Sequence, residues 1–290
     1  ELMKKALECD PRNAMIACNL GTIYEAEKDY EEALSWYKNS LKWGGKRLKA
    51  EGQDGIIHNN IGSVLSKLGR RTEALVSLRR ALEVGVEFPE ALTNIATMLA
   101  DLGEFKQANG YYRRALELDP ENAHAHHNFG SNLLRQGFWE EGWFHSEWRM
   151  VATNKGKPWR RFPQPLWNGQ PFRGARVILY AEQGIGDALQ FLRFLPGAVR
   201  IAQSGAKKGK VILEAHEEVL ELYAEYSDLV EIVPRKPGGE PEFDLHVAQL
   251  TLPLLLGTTT LDDLPKAPYI NSIGPDRFPV PGLDPEKLNV

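Results

Sequence analysis

The sequence predicts two regions of different fold class: a solenoid of paired helices over residues 1–150, and an α/β domain with a parallel sheet over residues 176–290. Three observations support this division. Four similar stretches recur through the first half of the chain, and short apolar runs alternate with helical patterns in the second half. Aromatic residues and prolines crowd the segment between them, residues 151–175, which we interpret as a joint.

The composition limits the classes of function. The 290 residues are 42% hydrophobic and 26% charged, as in ordinary globular proteins. A net charge of −4 and a pI of about 6.0 give no reason to expect nucleic acid or an anionic membrane as a partner. No apolar run is long enough to span a bilayer, and no secretory signal pattern is present, so we expect a cytoplasmic protein with reduced Cys9 and Cys18.

The first region is predicted from four aligned stretches, CNLGTIY, NNIGSVL, TNIATML and HNFGSNL. Each carries a small residue at the same place, and a second small residue follows twelve positions later. Small side chains are needed where two helices cross closely, so each unit is predicted to be a pair of stacked antiparallel helices. The eight small positions are Gly21, Gly62, Ala96 and Gly130, then Ala33, Ala74, Ala108 and Gly142. Seven extra residues near 43–53 predict a lengthened turn in the first unit.

The period of 34 residues between the last three stretches resembles the tetratricopeptide repeat. In that family the first helix of each unit lines a concave surface, and here an asparagine stands two residues before each small residue. A ladder of carboxamides can donate to and accept from a peptide backbone, and it resembles the ladder lining O-GlcNAc transferases. The alternative is that these side chains bridge neighbouring helices. The four positions are Asn19, Asn60, Asn94 and Asn128.

Two further features of this half bear on function. His124 and His127 share a helix face, but two side chains do not close a zinc site, and we predict no metal. Aromatic residues from Phe138 to Trp167 are interpreted as packing between the solenoid and the next domain, since a terminal repeat must cover its open end. The alternative for one of the tryptophans is stacking on a carbohydrate.

The second region is predicted to contain four parallel strands, because short β-rich runs alternate with helical patterns. The predicted helices cover residues 187–203, with a bend expected at Pro196, and 217–226. Ligands of such sheets bind at the carboxyl ends of the strands, where the turn EQGIGD follows the first strand. The predicted strands are RVILYA, KVILEA, LVEIV and FDLHVA.

The turn after the first strand is a candidate ligand site. Gly184 and Gly186 permit a tight turn and the close approach of a ligand to the backbone, and Asp187 falls where a helix N-cap should be. Leu189 occupies the place of the third glycine of a dinucleotide fingerprint, and no P-loop is present. The residues alone predict a Rossmann-like domain and leave open whether Asp187 caps the helix or acts on a ligand.

Four segments extend this interpretation: EGWFHSEWRM, PLWNGQPFRGARVILYAEQGIGDALQFLRFLP, FDLHVAQLTLPLLLGTTTLDDLP and PYI. Together they resemble bacterial tetratricopeptide proteins that carry a glycosyltransferase domain of the heptosyltransferase-like family nine. The resemblance implies the N-terminal, acceptor-side half of a GT-B fold and an inverting, metal-independent transferase without a resident cofactor. A nucleotide sugar would be the co-substrate, bound mainly by a C-terminal domain that lies outside these residues. We therefore expect this chain to bind an acceptor or a partner without turning over.

The resemblance also assigns roles to individual residues. Asp187 matches the catalytic base of the family, and Glu182 is the rival base. Gly184 and Gly186 shape the acceptor site, and Gln183, Gln190, Arg193 and His246 are the candidate acceptor-binding side chains. The alternative for Arg193 is a solvated helix face, and for His246 a strand-end histidine with satisfied hydrogen bonds. The alternative for the whole protein is a non-catalytic scaffold whose repeats bind a protein partner beside a degenerate Rossmann-like domain.

Overall fold

The computed structural model describes residues 2–83, 88–152, 160–171, 173–236 and 238–266. These residues fall into two compact units. The first holds residues up to 136 together with 151 and 152, and the second holds 137–150 and the described residues from 160 onward. Within the described part of the chain, no helix combines the length and apolar character needed to cross a membrane.

The first unit is built from helices alone. In it α2 packs on α3, α4 on α5, and α6 on α7, as the repeat pattern predicts. Asn13 and Asn122 cap α2 and α8 through their side chains, which fixes where these two helices begin. The helices are α1 Leu2–Cys9, α2 Ala14–Ala26, α3 Tyr30–Ala50, α4 Asp54–Lys67, α5 Arg71–Glu83, α6 Pro89–Asp101, α7 Phe105–Leu118 and α8 Ala123–Arg135.

The small residues lie where the paired helices touch. A Cβ atom on Gly21 would stand 2.6 Å from the Tyr37 ring, and one on Gly62 would stand 2.5 Å from Leu78. Ala33 and Ala74 are completely buried. The predicted reason for the small side chains is therefore confirmed at these crossings.

The predicted lengthened turn near 43–53 is wrong. The extra residues continue α3 as far as Ala50, with a kink at Gly45, whose φ of 46° favours glycine. Only a short turn separates the end of α3 from Asp54, so the insertion lengthens a helix instead of a loop.

The second unit is built around a parallel sheet. Its elements, numbered onward from the first unit, are α9 Trp139–Ser146, α10 Arg149–Ala152, β1 Arg176–Tyr180, α11 Ile185–Phe191, α12 Leu195–Gln203, β2 Lys210–Ala215, α13 Leu220–Tyr223, β3 Glu231–Pro234, β4 Leu245–Ala248 and α14 Leu252–Leu255. The last two residues of α10 belong to the first unit.

The four strands are all parallel and lie in the order β3-β2-β1-β4, which confirms the predicted parallel sheet. The predicted helix over 187–203 consists of two helices joined by the 3-10 turn Leu192–Phe194. The break lies just before Pro196, close to the predicted bend, because proline favours the first turn of a helix. The predicted helix over 217–226 is also broken, and only Leu220–Tyr223 is α-helical.

The two faces of the sheet differ in chemistry. Alternate residues such as Val177, Leu179 and Leu213 pack in an apolar core with Ala198 of α12. The opposite face carries buried polar residues, with Glu214 on β2 and His246 on β4. Because both faces of the sheet are buried, the strands appear in the sequence as nearly continuous apolar runs.

Aromatic residues of the predicted joint make contacts inside the second unit. The ring of Phe162 lies 5.5 Å from the Tyr180 ring and 4.8 Å from the His246 ring. Trp143 meets Phe191 edge to face at 6.1 Å. Trp159 lies outside the described residues.

Candidate functional site

The carboxyl ends of the strands lie at one edge of the sheet. Tyr180 pairs with Ala248 and Ala215 with Pro234, so the residues that follow these four share that edge. We call this group the strand-end site. It consists of Glu182, Gln183, Asp187, His216, Arg235 and Thr251.

The glycines of the turn have backbone conformations that other residues can also adopt. Gly184 is extended, with φ −71° and ψ 170°, and α11 begins directly after it. Gly186 lies inside α11, and neither residue has a positive φ. The glycines leave room at this edge of the sheet, but their backbone conformations do not require glycine, and their role in binding a ligand stays a prediction.

Asp187 is not the N-cap of α11. Gly184 holds that position, and Asp187 lies in the first turn of the helix, where a negative charge is favourable. The carboxylate is half-buried and forms no hydrogen bond or ion pair with any described residue. Two cavities of this unit, of about 550 and 640 Å³, are lined by other residues. The role of Asp187 as a base stays a prediction.

Glu182 is a buried partner of Arg149 instead of an open carboxylate. Nε and Nη2 of Arg149 donate to Glu182 Oε1 at 2.9 and 2.7 Å, and both side chains are almost fully buried. Burial raises the pKa of the Glu182 carboxyl, against the opposing effect of Arg149. Its position makes Glu182 a poor rival to Asp187, because Arg149 already occupies Oε1 and solvent does not reach the group.

The guanidinium of Arg149 is saturated with acceptors. Nη1 donates to Ser146 O at 3.2 Å and to Glu147 Oε1 at 2.6 Å, while Nη2 also donates to Thr251 Oγ1 at 3.0 Å. Thr251 in turn donates to Glu147 Oε2 at 2.9 Å. All five N–H groups of the arginine are thus used, and the ends of β1 and β4 are tied to the segment before α10.

Gln183 contributes its backbone carbonyl group to the strand-end site. Its carbonyl oxygen lies 3.0 Å from His216 Nε2 and accepts from Arg235 Nη1 at 3.3 Å. His216 follows β2 and Arg235 follows β3, so three strand ends converge on one carbonyl group. Sequence reasoning missed both residues, because neither belongs to a recognisable motif.

The other predicted acceptor residues are spread along α11 and β4. Gln190 is exposed and lies one turn after Asp187, so the two share a helix face. Arg193 follows in the 3-10 turn and is half-buried. His246 is the second residue of β4 and packs against Phe162, so its predicted place at the carboxyl end of the strand is wrong.

A second buried ion pair lies on the polar face of the sheet. Arg160 Nη1 donates to both carboxylate oxygens of Glu214 at 2.7 and 2.5 Å, and Nη2 donates to Glu240. The guanidinium also stands 4.8 Å above the Phe162 ring. An acid inside the apolar strand KVILEA was the sequence signal for such a pair, since a buried charge needs a partner.

We call the four asparagines of the predicted ladder the asparagine column. Some of them bridge neighbouring helices. Asn94 on α6 donates to Asn59 on α4 at 2.9 Å, and Asn128 on α8 donates to Thr97 on α6 at 3.2 Å. Asn19 is exposed. Two of the four positions thus join neighbouring repeats, as the alternative interpretation predicts. No described residues form a group of three or more potential metal ligands.

Comparison with known proteins confirms the repeats. Residues 12–85 and 89–122 match the tetratricopeptide repeat family, so the chain contains tetratricopeptide repeats. Protein FlbA of Caulobacter vibrioides is 30% identical over 155 residues, which cover 52% of this chain and 26% of FlbA. The match thus extends over about a quarter of that relative.

Several solved structures are similar to the helical part. YrrB, described as a TPR protein with an unusual peptide-binding site, is 24% identical with a TM-score of 0.42, covering 54% of this chain and 75% of YrrB. A MamA structure is 18% identical with a TM-score of 0.43, over 53% of this chain and 85% of its own. The first TPR of Spaghetti (RPAP3), bound to an HSP90 peptide, is 18% identical with a TM-score of 0.39, over 43% and 93%.

Proposed function

We propose that this chain is the recruiting and acceptor-binding portion of a glycosyltransferase of the heptosyltransferase-like family. The repeats would bind a protein acceptor, and the sheet unit would be the Rossmann-like acceptor half of a GT-B enzyme. One observation carries the proposal. Glu147 and Arg149, Glu182, and Thr251 come from three separate segments that resemble that family, and their side chains join in one network at the strand ends.

The chemistry assigned to Asp187 is general base catalysis. A sugar or side-chain hydroxyl becomes an effective nucleophile when a carboxylate takes its proton in the transition state. Asp187 has no protein partner within the described residues, whereas Glu182 is bound by Arg149. Gln190 on the same helix face, together with Arg193 in the following turn, would hold the acceptor. The arrangement favours Asp187 over Glu182 as the proton acceptor.

The test compares two isosteric variants in the protein as its gene encodes it. Release of nucleotide from a panel of UDP-, GDP-, ADP- and CMP-sugars is measured for Asp187→Asn and Glu182→Gln. We expect Asp187→Asn to lower turnover by about 10²- to 10⁴-fold in a protein that stays folded, because losing one charge in the first turn of α11 costs under about 1 kcal/mol. We expect the main effect of Glu182→Gln to be a lower melting temperature, because the substitution removes the charge opposite Arg149. Unchanged turnover in folded Asp187→Asn would reject the base.

A second candidate function is a non-catalytic scaffold. Asn94 and Asn128 donate hydrogen bonds to neighbouring repeats. Part of the asparagine column therefore stabilises the packing of the repeats. A scaffold predicts that wild-type protein releases no nucleotide from any sugar in the panel. It also predicts that Asn19→Ala, which removes an exposed carboxamide, weakens the binding of a protein partner. Turnover by the wild-type protein excludes this alternative.

A further inference from the structure

A cavity in the first unit is lined almost entirely by charged residues. Its volume is about 540 Å³, within the range of small-molecule sites. The residues come from three helices: the last turn of α3, the start of α4, and the end of α5. They are Lys49, Asp54, His58, Arg80 and Glu83.

Asp54 in this cavity lacks the partner that its burial requires. Only 4% of the residue is exposed, and its Oδ1 atom is buried with no hydrogen-bond partner. The Asp54 side chain forms no hydrogen bond or ion pair with any described residue, although Lys49 and Arg80 line the same cavity. A buried acceptor without a donor destabilises the fold. A ligand that donates a hydrogen bond to Asp54 removes this penalty, which favours binding.

A second cavity adjoins the first and has the opposite character. It measures about 310 Å³ and shares His58 and Arg80 with the charged cavity. Leu41, Ile61, Leu65 and Val76 give it an aliphatic wall, and one further charge of each sign, Lys38 and Glu73, also lines it. The shared residues make one groove with a charged end and an aliphatic end. The charged end is balanced, with two cations facing two carboxylates. Burial lowers the pKa of His58, which keeps its imidazole neutral at pH 7.

This groove is distinct from the asparagine column. Asp54, His58, Ile61 and Leu65 follow one face of α4, because they are spaced by three or four residues. Asn60 lies two residues from His58 and is therefore about 200° around the helix from it. Lys49 reaches the cavity from the helical extension of α3, so the insertion in the first repeat helps to build the site.

We propose that this groove binds a free α-amino acid with an aliphatic side chain, such as leucine. The ammonium group would be held by Asp54 and Glu83, and the carboxylate by Arg80 and Lys49. The side chain would fill the apolar end. A ligand with a single charge would pair either with the two cations or with the two carboxylates, but not with both. A zwitterion pairs with both, so the balanced charges favour it. The inference does not depend on the proposed transferase function.

The experiment is calorimetric titration of the 290-residue chain with leucine, followed by leucinamide and N-acetylleucine. Leucinamide lacks the carboxylate and N-acetylleucine lacks the ammonium, so each is expected to bind at least about tenfold more weakly. Asp54→Asn and Arg80→Gln are expected to weaken leucine binding by a similar factor. Asp101→Asn, at an exposed position outside the groove, is the matched control and should leave the affinity unchanged.

Three results would overturn the proposal, and the first two are no heat of binding with the wild-type chain and the same affinity in Arg80→Gln as in wild type. Arg80 is exposed, so its variant tests the site even where Asp54→Asn alters folding. Equal binding of leucine and leucinamide would also overturn it, because the carboxylate would then have no partner in the groove.

Discussion

The two units of this chain use buried polar groups in opposite ways. In the repeats the same contact recurs: Thr22 lies 3.2 Å from the Tyr37 hydroxyl, and Thr97 lies 3.1 Å from that of Tyr112. The sheet unit instead holds two buried networks, one centred on Arg149 and one on Arg160. Two partners of Arg149, Glu182 and Thr251, are 33 and 102 residues away in the sequence. The repeats therefore distribute their polar contacts, whereas the sheet unit concentrates them.

This difference predicts how each unit responds to change. The stability of a repeat array is approximately a sum of terms from each repeat and its neighbours. One substitution there is expected to remove one local term and leave the others unchanged. A concentrated network holds buried charges that compensate one another, so removing one leaves the others unpaired. Substitutions in each unit therefore test whether the two units differ in this way.

The largest effect is expected for Arg149→Met. It leaves Glu182 and Glu147 without their shared cation, and we expect a loss of about 3–5 kcal/mol in the unfolding free energy of the sheet unit. Urea unfolding, combined with hydrogen exchange at β1 and β4, measures the change and locates it.

The control for this prediction is Arg176→Gln. Arg176 also pairs with a glutamate, Glu231, at 3.0 Å, but both side chains are substantially exposed. An exposed pair contributes less than about 1 kcal/mol. If Arg149→Met costs no more than Arg176→Gln, the network does not hold the strand ends together.

A smaller effect is expected for Gly62→Ala in the repeats. The new methyl group would stand 2.5 Å from Leu78 in the crossing of α4 and α5, and overpacking of this kind costs about 1–3 kcal/mol. Thermal unfolding of the variant measures this loss.

Gly110→Ala is the matched control, because Gly110 also lies inside a helix but a Cβ there meets nothing within 4 Å. It should stabilise the first unit by about 0.5–1 kcal/mol. A loss of stability in both variants would mean that helix crossing is not the reason for the glycine at position 62.

The sequence predicts the repeats well because their contacts are periodic. Gly21 and Gly62 follow from the spacing alone, since every unit needs a small residue at the crossing. The strands of the sheet follow from apolar runs, and their parallel order follows from the alternation with helices. The insertion after Trp43 was misjudged, because helix and turn differ there only through the kink at Gly45.

The strand-end site was harder to predict. Glu182 reads as a free acid in the turn, and only the fold brings Arg149 against it. His216 and Arg235 reach the Gln183 carbonyl through the order of the strands, which no local pattern encodes. The unpartnered carboxylate of Asp54 is likewise visible only once three helices enclose it.

A pH-dependent effect is expected at His246 on the polar face of the sheet. Burial lowers the pKa of its imidazole below the ordinary 6.5; a hydrogen bond with the Gln164 backbone opposes this shift, and Arg160 adds to it. Below about pH 6.5 the unfolded chain takes up a proton that the folded chain resists, so stability falls as pH falls through that window. Unfolding free energies of wild type and His246→Gln at pH 7 and pH 5 test this.

The expected outcome is that wild type loses more stability than His246→Gln between pH 7 and pH 5. The neighbours Tyr180 and Phe162 do not titrate in this range, and Arg160 remains charged, so the difference reports on His246. An equal loss in both proteins would show that the imidazole titrates alike in the folded and unfolded states.

The smallest effect is expected for Gly186→Ala at the strand-end site. Gly186 lies in α11 without a positive φ, and a Cβ there meets nothing within 4 Å, so the variant should gain about 0.5–1 kcal/mol. Gly169→Ala is the control, because Gly169 has a φ of 82° and its Cβ would stand 3.2 Å from Leu255 O, and it should lose stability. Paired thermal unfolding curves distinguish the two.

Gly186→Ala also separates folding from ligand binding at the strand ends. If the glycine is needed by the fold, the variant loses stability, which contradicts the helical conformation described above. If the glycine is needed by a ligand that approaches the backbone, the variant gains stability and still loses nucleotide-sugar turnover in the protein as encoded. A gain in stability with full turnover would place the acceptor away from Gly186, towards Gln190 and Arg193.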